Sequence, residues 1–192
     1  HFGEIENGGK TAGDREQLLK CQNAVAENDI AALYYTSGTS GNKPMGAMLT
    51  HVNLAGCGIS MTGYYDLEPG DKVLSFLPTC HAYERAHNYV YQNAGASIYY
   101  SQSAINIMET LPEVKPVMFT SVPMLLEKIF HALSNDGISL SKEKMIALGG
   151  NLKAISSGGA ALPKQFSEAF FEAGIKVLEC YGMTECQIIA SN

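Results

Sequence analysis

The stretch YYTSGTSGNKPMGAMLTH, Tyr34 to His51, places Thr36, Ser37, Gly38, Thr39, Ser40, Gly41 and Lys43 directly after an apolar run. Gly38, Gly41 and Gly46 let the backbone turn tightly and approach a ligand. Successive N–H groups in such turns form a nest for an anion. The hydroxyls and the one lysine add donors and a positive point charge. Together they suit a polyphosphate, although the same composition also describes an ordinary polar turn. Further on, CYGMTEC (Cys180 to Cys186) offers the flat ring of Tyr181, the hydroxyl of Thr184 and the carboxylate of Glu185. These types suit stacking on a base, contact with a phosphate oxygen and binding of Mg²⁺. SSGGAALP (Ser156 to Pro163) puts Gly158, Gly159 and Ala160 where a flat ring could lie on bare backbone. Alone, either segment also reads as a plain strand end or tight turn.

Other chemistries fit less well. Gly41 and Gly46 have P-loop spacing, but Ala47-Met48 follows where Lys-Ser or Lys-Thr is required. No G-x-S-x-G elbow occurs, which disfavours an α/β-hydrolase. Cys80-His81 are neighbours in SFLPTCHAYERA, and adjacency does not supply the geometry of a nucleophile and its base. His81 at a helix start could face a cleft. Glu84-Arg85 reads as a solvated ion pair. The histidines show no metal-ligand spacing. The five cysteines are odd in number, with no C-x-x-C pair, as in a reduced cytoplasmic protein. A net charge of −6 argues against a nucleic-acid partner. No apolar run reaches the ~18 residues of a membrane span.

These residues need elements to position them. With 192 residues, 46% hydrophobic and 17% charged, the chain reads as one globular domain. Residues 1–29 read as a polar lead-in, with a short helix near Glu16 to Ala26. Strands are expected at Ile30–Tyr35, Lys72–Leu77, Ala96–Tyr100, Val117–Thr120, Leu152–Ser156 and Ile175–Glu179, with Met48 and Leu49 in a further short strand. Helices are expected at Thr50–Tyr64, His81–Asn93, Ala104–Leu111, Pro123–Leu133 and Pro163–Ala173. In the first, Val52, Ala55, Gly56 and Ile59 form the apolar face. Gly95 and Gly174 fall just past helix ends. The alternation predicts an α/β fold, a mostly parallel sheet with helices on both faces. Ligands of such sheets bind beyond the carboxyl ends of the strands. The loops Thr36–Gly46, Ser157–Ala161 and Tyr181–Glu185 all follow predicted strands, so they are expected at one edge of one sheet.

Taken in order, these segments resemble the AMP-binding, adenylate-forming superfamily, and within it the long-chain fatty-acid–CoA ligases. SFLPTCHAYERA is similar to their Leu-Pro-x-x-His-x-x-Glu-Arg segment and SVPMLLEKIF to their Val-Pro-Arg segment. LGGNLKAISSGGAAL and VLECYGMTEC resemble the adenine and Tyr-Gly-x-Thr-Glu segments. The resemblance implies the fold of the adenylate-forming N-terminal subdomain over residues 30–192. It implies that Thr36, Ser37, Gly38, Thr39, Ser40, Gly41 and Lys43 cradle the β- and γ-phosphates of ATP. Gly158, Gly159, Ala160 and Tyr181 would hold adenine, with Gly182 and Met183 in the same motif. Thr184 would touch the α-phosphate, Glu185 would bind Mg²⁺, and His81 would lie by the acyl carboxylate. The implied reaction forms an acyl-adenylate and passes the acyl group to coenzyme A. The implied partners are these small molecules, with peripheral membrane contact of the parent left open.

The sequence departs from the family pattern. Met45 stands where the phosphate loop ends in lysine, and Lys43 comes before Pro44. Met124 takes the usual arginine position. The later hinge and C-terminal lid of the family lie beyond Asn192, so the chain reads as a partial AMP-binding domain, expected to be inactive alone. A non-catalytic nucleotide-binding homologue, or an adenylating enzyme for another acid, fits the same motifs.

Overall fold

The computed structural model describes residues 12–36, 44–101, 106–134, 137, 139–140, 142–146 and 148–192. Helix α1 (Ala12–Ala24) leads into strands β1 (Ile30–Thr36) and β2 (Met45–Thr50). These two pair with each other, antiparallel, as a separate two-stranded sheet. The expectation that the Ile30 run joins the parallel sheet is therefore corrected. Its neighbour in sequence competes successfully for its hydrogen bonds, because a hairpin closes a far shorter loop than a crossover does.

Helix α2 (His51–Thr62) starts where predicted. Thr50 is its N-cap, and Thr50 and Asn53 satisfy each other's backbone N–H in a capping box. Its buried face is not the predicted one. Leu54 and Gly58 are buried, whereas Val52 and Ile59 are exposed. Gly58 decides this: a Cβ there would lie 3.0 Å from Tyr89 Cβ, so only the glycine side lets the neighbouring helix come close.

The main sheet has six strands in the order β4-β3-β5-β6-β7-β8. They are β3 (Lys72–Ser75), β4 (Ser97–Tyr100), β5 (Met118–Ser121), β6 (Ala154–Gly158), β7 (Lys176–Met183) and β8 (Gln187–Ser191). All pairs are parallel except β7 with β8. Helices α3 (Ala82–Asn93), α4 (Ile107–Val114), α5 (Pro123–Leu133), α6 (Lys142–Ile146) and α7 (Lys164–Glu172) complete the described elements. The α/β fold with a mostly parallel sheet is as expected. Strand β8 and helix α6 were not foreseen.

Adjacent residues of the central strands serve opposite faces, as a pleat requires. Leu74, Phe119 and Ile155 pack with Leu111, Leu126 and Phe170 from α4, α5 and α7. Val73, Met118 and Ala154 pack on the other side with Tyr65, Val90 and Tyr91. Strands β5 and β6 are buried along their whole length. This rigid centre ends, at its carboxyl edge, in the segments Pro78–His81, Val122, Gly158–Gly159 and Gly182–Gln187.

Candidate nucleotide and acid site

Those segments meet around one cavity of about 340 Å³. His81, Gly158, Gly159, Gly182, Met183 and Thr184 all line it, as do Tyr83, Glu84 and Gln187. Leu77, Pro78, Ala82 and Val122 supply apolar wall. Six of the residues picked from sequence thus converge, from three different connections. The phosphate loop does not enter this comparison, because Ser37, Gly38, Thr39, Ser40, Gly41 and Lys43 lie outside the described residues. Thr36 ends β1, and its hydroxyl donates to the Met45 carbonyl at 3.4 Å. The strands that flank it, β1 and β2, belong to the separate hairpin and not to the main sheet, which corrects the expectation of three strands of one sheet leading into these loops.

His81 is the N-cap position of α3, with φ −88° and ψ 135°, and its side chain makes no capping bond. It is exposed and faces the cavity. The glycines divide the work. A Cβ at Gly158 would lie 2.6 Å from the Tyr83 ring, so the protein's own tyrosine covers that bare backbone. Gly159 has φ +85° and nothing within 4 Å of a virtual Cβ. Gly159 and Ala160 are both exposed, and Tyr181 is 65% exposed. Tyr181, Ala160 and Glu185 do not line the cavity itself.

Thr184 and Glu185 sit in the turn between β7 and β8. Glu185 is exposed, and no group of three or more possible metal ligands occurs among the described residues. A lone exposed carboxylate fits Mg²⁺, which takes one or two carboxylates and draws its other oxygens from phosphates and water. It does not fit a fully protein-bound metal.

Two buried polar networks hold the cavity wall, and sequence reasoning missed both. Glu84 is fully buried, which overturns its reading as half of a solvated ion pair. Ser75 Oγ and Thr120 Oγ1 each donate to its carboxylate through short hydrogen bonds. Asn88 Nδ2 donates to Ser75 Oγ at 3.1 Å and Tyr100 OH to Asn88 Oδ1 at 2.7 Å. Burial pushes the Glu84 carboxyl above its ordinary value, against the pull of these hydroxyls. Arg85 turns away and its Nε donates to Tyr89 OH at 3.1 Å. Helix α3 has 3.6 residues per turn, so neighbours such as these point apart.

The second network centres on His87, also fully buried. Its Nδ1 lies 2.9 Å from the Tyr83 carbonyl, which can only accept, so Nδ1 carries the proton. Nε2 then accepts, with Tyr65 OH at 2.9 Å and Ser156 Oγ at 3.0 Å. Tyr83 OH lies 2.8 Å from the same Ser156 Oγ, and Cys180 Sγ 3.1 Å from it. Burial lowers the His87 pKa to about 4. Through Ser156 this network fixes the tyrosine that covers Gly158. A period-based signal existed: Glu84, His87, Asn88 and Tyr91 lie three or four apart on one helix face.

The family model described as "AMP-binding enzyme" matches residues 3–192, and the chain belongs to that family. A long-chain-fatty-acid–[acyl-carrier-protein] ligase (AEE15, chloroplastic) of Arabidopsis thaliana is 37% identical over 125 residues, covering 65% of this chain and 17% of its own. The long-chain-fatty-acid–CoA ligase FadD15 of Mycobacterium bovis is 26% identical over 214 residues, covering 90% of this chain and 36% of its own. A malonyl-CoA ligase solved with methylmalonyl-CoA and AMP superposes with a TM-score of 0.72 at 28% identity, covering 88% of this chain and 36% of the other. The chain thus spans well under half the length of these relatives.

Proposed function

We propose that this chain forms the acid- and nucleotide-facing part of a long-chain fatty-acid–CoA ligase. The carrying observation is the single cavity that joins His81, Gly159 and Thr184 at the carboxyl edge of the sheet. The relatives named above include both fatty-acid and malonyl-CoA ligases, so the choice of a long-chain acid rests on the motif resemblance and on the apolar wall of Leu77, Pro78 and Val122. In this reading adenine lies on Gly159 and Ala160 beside Tyr181, and the loop from Thr36 to Lys43 takes the outer phosphates. Glu185 carries Mg²⁺, which offsets phosphate charge when bound. The setting is cytoplasmic, in keeping with five free cysteines. No described helix is long and apolar enough to cross a membrane.

The adenylation step needs no general base, because a carboxylic acid is already ionised near neutral pH. One carboxylate oxygen attacks the α-phosphorus, the bond to the β-phosphate breaks, and pyrophosphate leaves with its electron pair. The coenzyme A thiol then gives up its proton to solvent, its sulfur attacks the acyl carbon, and the bond to the AMP oxygen breaks as the thioester forms. The chain's part is to position and to stabilise charge. Thr184 donates to the α-phosphate, and His81 orients the carboxylate at the cavity mouth. The covered, apolar wall excludes water that would hydrolyse the mixed anhydride.

The test is ATP–pyrophosphate exchange by the full-length protein that contains this chain, across acids of different length. Exchange driven by long-chain acids is the expected result; preference for a short dicarboxylic or an amino acid would overturn it. A second reading is favoured by Met45, 66% exposed where the family pattern has lysine. In that reading the protein binds nucleotide without reacting, and AMP binding with no exchange for any acid would establish it.

A further inference from the structure

We propose that the tip of the β7/β8 hairpin, residues 182–187, is a strained, shut element that swings about the register shift at Tyr181/Gly182 when nucleotide binds. This rests on the nucleotide reading above and concerns how the turn that carries Thr184 and Glu185 meets its ligand. Three features work against the shut tip. Gln187 is 4% exposed, and its Nε2 and Oε1 are sealed off with no hydrogen-bond partner among the described residues. Native folds rarely leave a buried amide in that state, and one that persists is a reservoir of strain. The backbone of Gln187 has φ +59°, a conformation unfavourable for any residue but glycine. Opposite it, a Cβ on Gly182 would lie 2.0 Å from the Gln187 carbonyl oxygen, so the tip closes this tightly only over glycine.

The base of the same hairpin is tied down. Tyr64 OH donates to the Ser191 carbonyl at 3.0 Å. The Glu179 N–H donates to Asn192 Oδ1 at 2.8 Å, and the Asn192 N–H to the Glu179 carbonyl at 3.3 Å. Cys180 pairs with Ser191 and Tyr181 with Ala190. The register then shifts, and beyond the shift the ladder continues only through Gly182 with Ile188 and Met183 with Gln187. Such a shift disrupts the ladder locally, so the hairpin bends there first. Within the tip, the Cys186 N–H donates to the Met183 carbonyl at 3.2 Å, which lets the turn move as one piece.

A ligand moves an element of this kind only if it binds the two forms unequally. Thr184 lines the cavity, whereas Glu185, next to it and exposed, does not. The nucleotide reading gives Thr184 the α-phosphate and Glu185 the Mg²⁺ that the same phosphates carry. The shut tip presents only the first of these to the cavity. Turning the tip on its base brings the hydroxyl and the carboxylate to one ligand and lets the Gln187 amide reach water. The strain held in the shut form thus offsets part of the work of opening.

The test uses the full-length protein that contains this chain, with ATP and Mg²⁺ and no acid, for wild type and Gln187→Met. Methionine keeps the unbranched shape and removes the amide, which favours the shut tip. The expected result is a higher melting temperature for Q187M in the absence of nucleotide. Nucleotide binding should weaken about tenfold in the same variant, because affinity falls with the fraction of the open form. In wild type, amide hydrogen exchange at Gln187 and Ile188 should quicken when ATP and Mg²⁺ bind, with Ala190 and Ser191 unchanged. A Q187M protein that melts no higher than wild type overturns the inference, since the buried amide then costs the fold nothing. Unaltered nucleotide affinity in a more stable Q187M also overturns it, as does tip exchange that ATP slows or leaves alone; both leave the nucleotide reading standing. No nucleotide binding by wild type overturns that reading and this inference with it. Should Q187M fail to fold, the wild-type exchange still decides.

Discussion

Glu84 shows how much a single side chain can carry without touching a ligand through a charge. It ties β3 through Ser75, β5 through Thr120 and its own helix through Asn88, and it lies beneath the cavity. Glu84→Ala strips both hydroxyls of their acceptor and leaves a void in a packed layer. Each unsatisfied buried donor costs about 1–3 kcal/mol, and a loss of about 3 kcal/mol in total is expected. Glu84→Gln keeps the volume and one acceptor, so it should lose about half as much. Thermal unfolding of the two variants checks the order: alanine melts lowest, glutamine between it and wild type. Equal melting of all three would show that the carboxylate is not what binds these strands. The residue was misread because Ser75 and Thr120 are separated from it along the chain and appear beside it only once the sheet forms. His81 and Thr184 were legible because each stands inside a short motif at a strand or helix end.

Elements punctuated by proline and glycine were readable, and those decided by packing were not. Pro123 opens α5 and Gly174, at φ +90°, follows α7, both as their sequence positions imply. The β1/β2 hairpin was mistaken for a member of the parallel sheet because its apolar run carries no mark of its partner. The apolar face of α2 was misassigned because apolar residues lie on both sides of it, and the fit of Gly58 on Tyr89 chose between them. Strand β8 was missed since its pairing depends on the turn Thr184–Cys186 reversing the chain. That turn makes the β7/β8 hairpin the element on which the site most depends. Gly182→Ala would place a methyl against the Gln187 carbonyl, a backbone atom that cannot swing aside. Opening of the hairpin is expected, with a cost of about 3 kcal/mol or more. Amide hydrogen exchange at Ile188 to Ser191 should accelerate in this variant while β5 and β6 stay protected. Unchanged exchange would mean the close approach is not needed to hold the strand.

Across the whole molecule, two buried groups of α3, His87 and Glu84, set opposite demands on pH. His87 has its pKa lowered from 6.5 to about 4, chiefly by burial. The folded protein therefore binds its proton less readily than the unfolded chain does. Its contribution is fully present above the unfolded value and is lost as pH falls through the folded one. The gap corresponds to about 3 kcal/mol lost between neutrality and the low end of that window. Glu84 acts the other way. Its carboxyl is raised, so its protonated form adds stability at acid pH that is lost as pH rises through the folded value. The other titratable groups touching His87, namely Tyr65, Tyr83 and Tyr91, stay neutral throughout this range, because burial moves all three tyrosines upward. Subtracting a variant separates the two terms. His87→Asn keeps a donor for the Tyr83 carbonyl and cannot be charged, while Glu84 is untouched. Urea midpoints at neutral pH and near pH 4.5 are the measurement. The stability advantage of wild type over H87N should shrink by about 2–3 kcal/mol on acidification. A constant difference would show that His87 is not held neutral by the fold, and the link from Ser156 through Tyr83 to the covered face of Gly158 would lose its anchor.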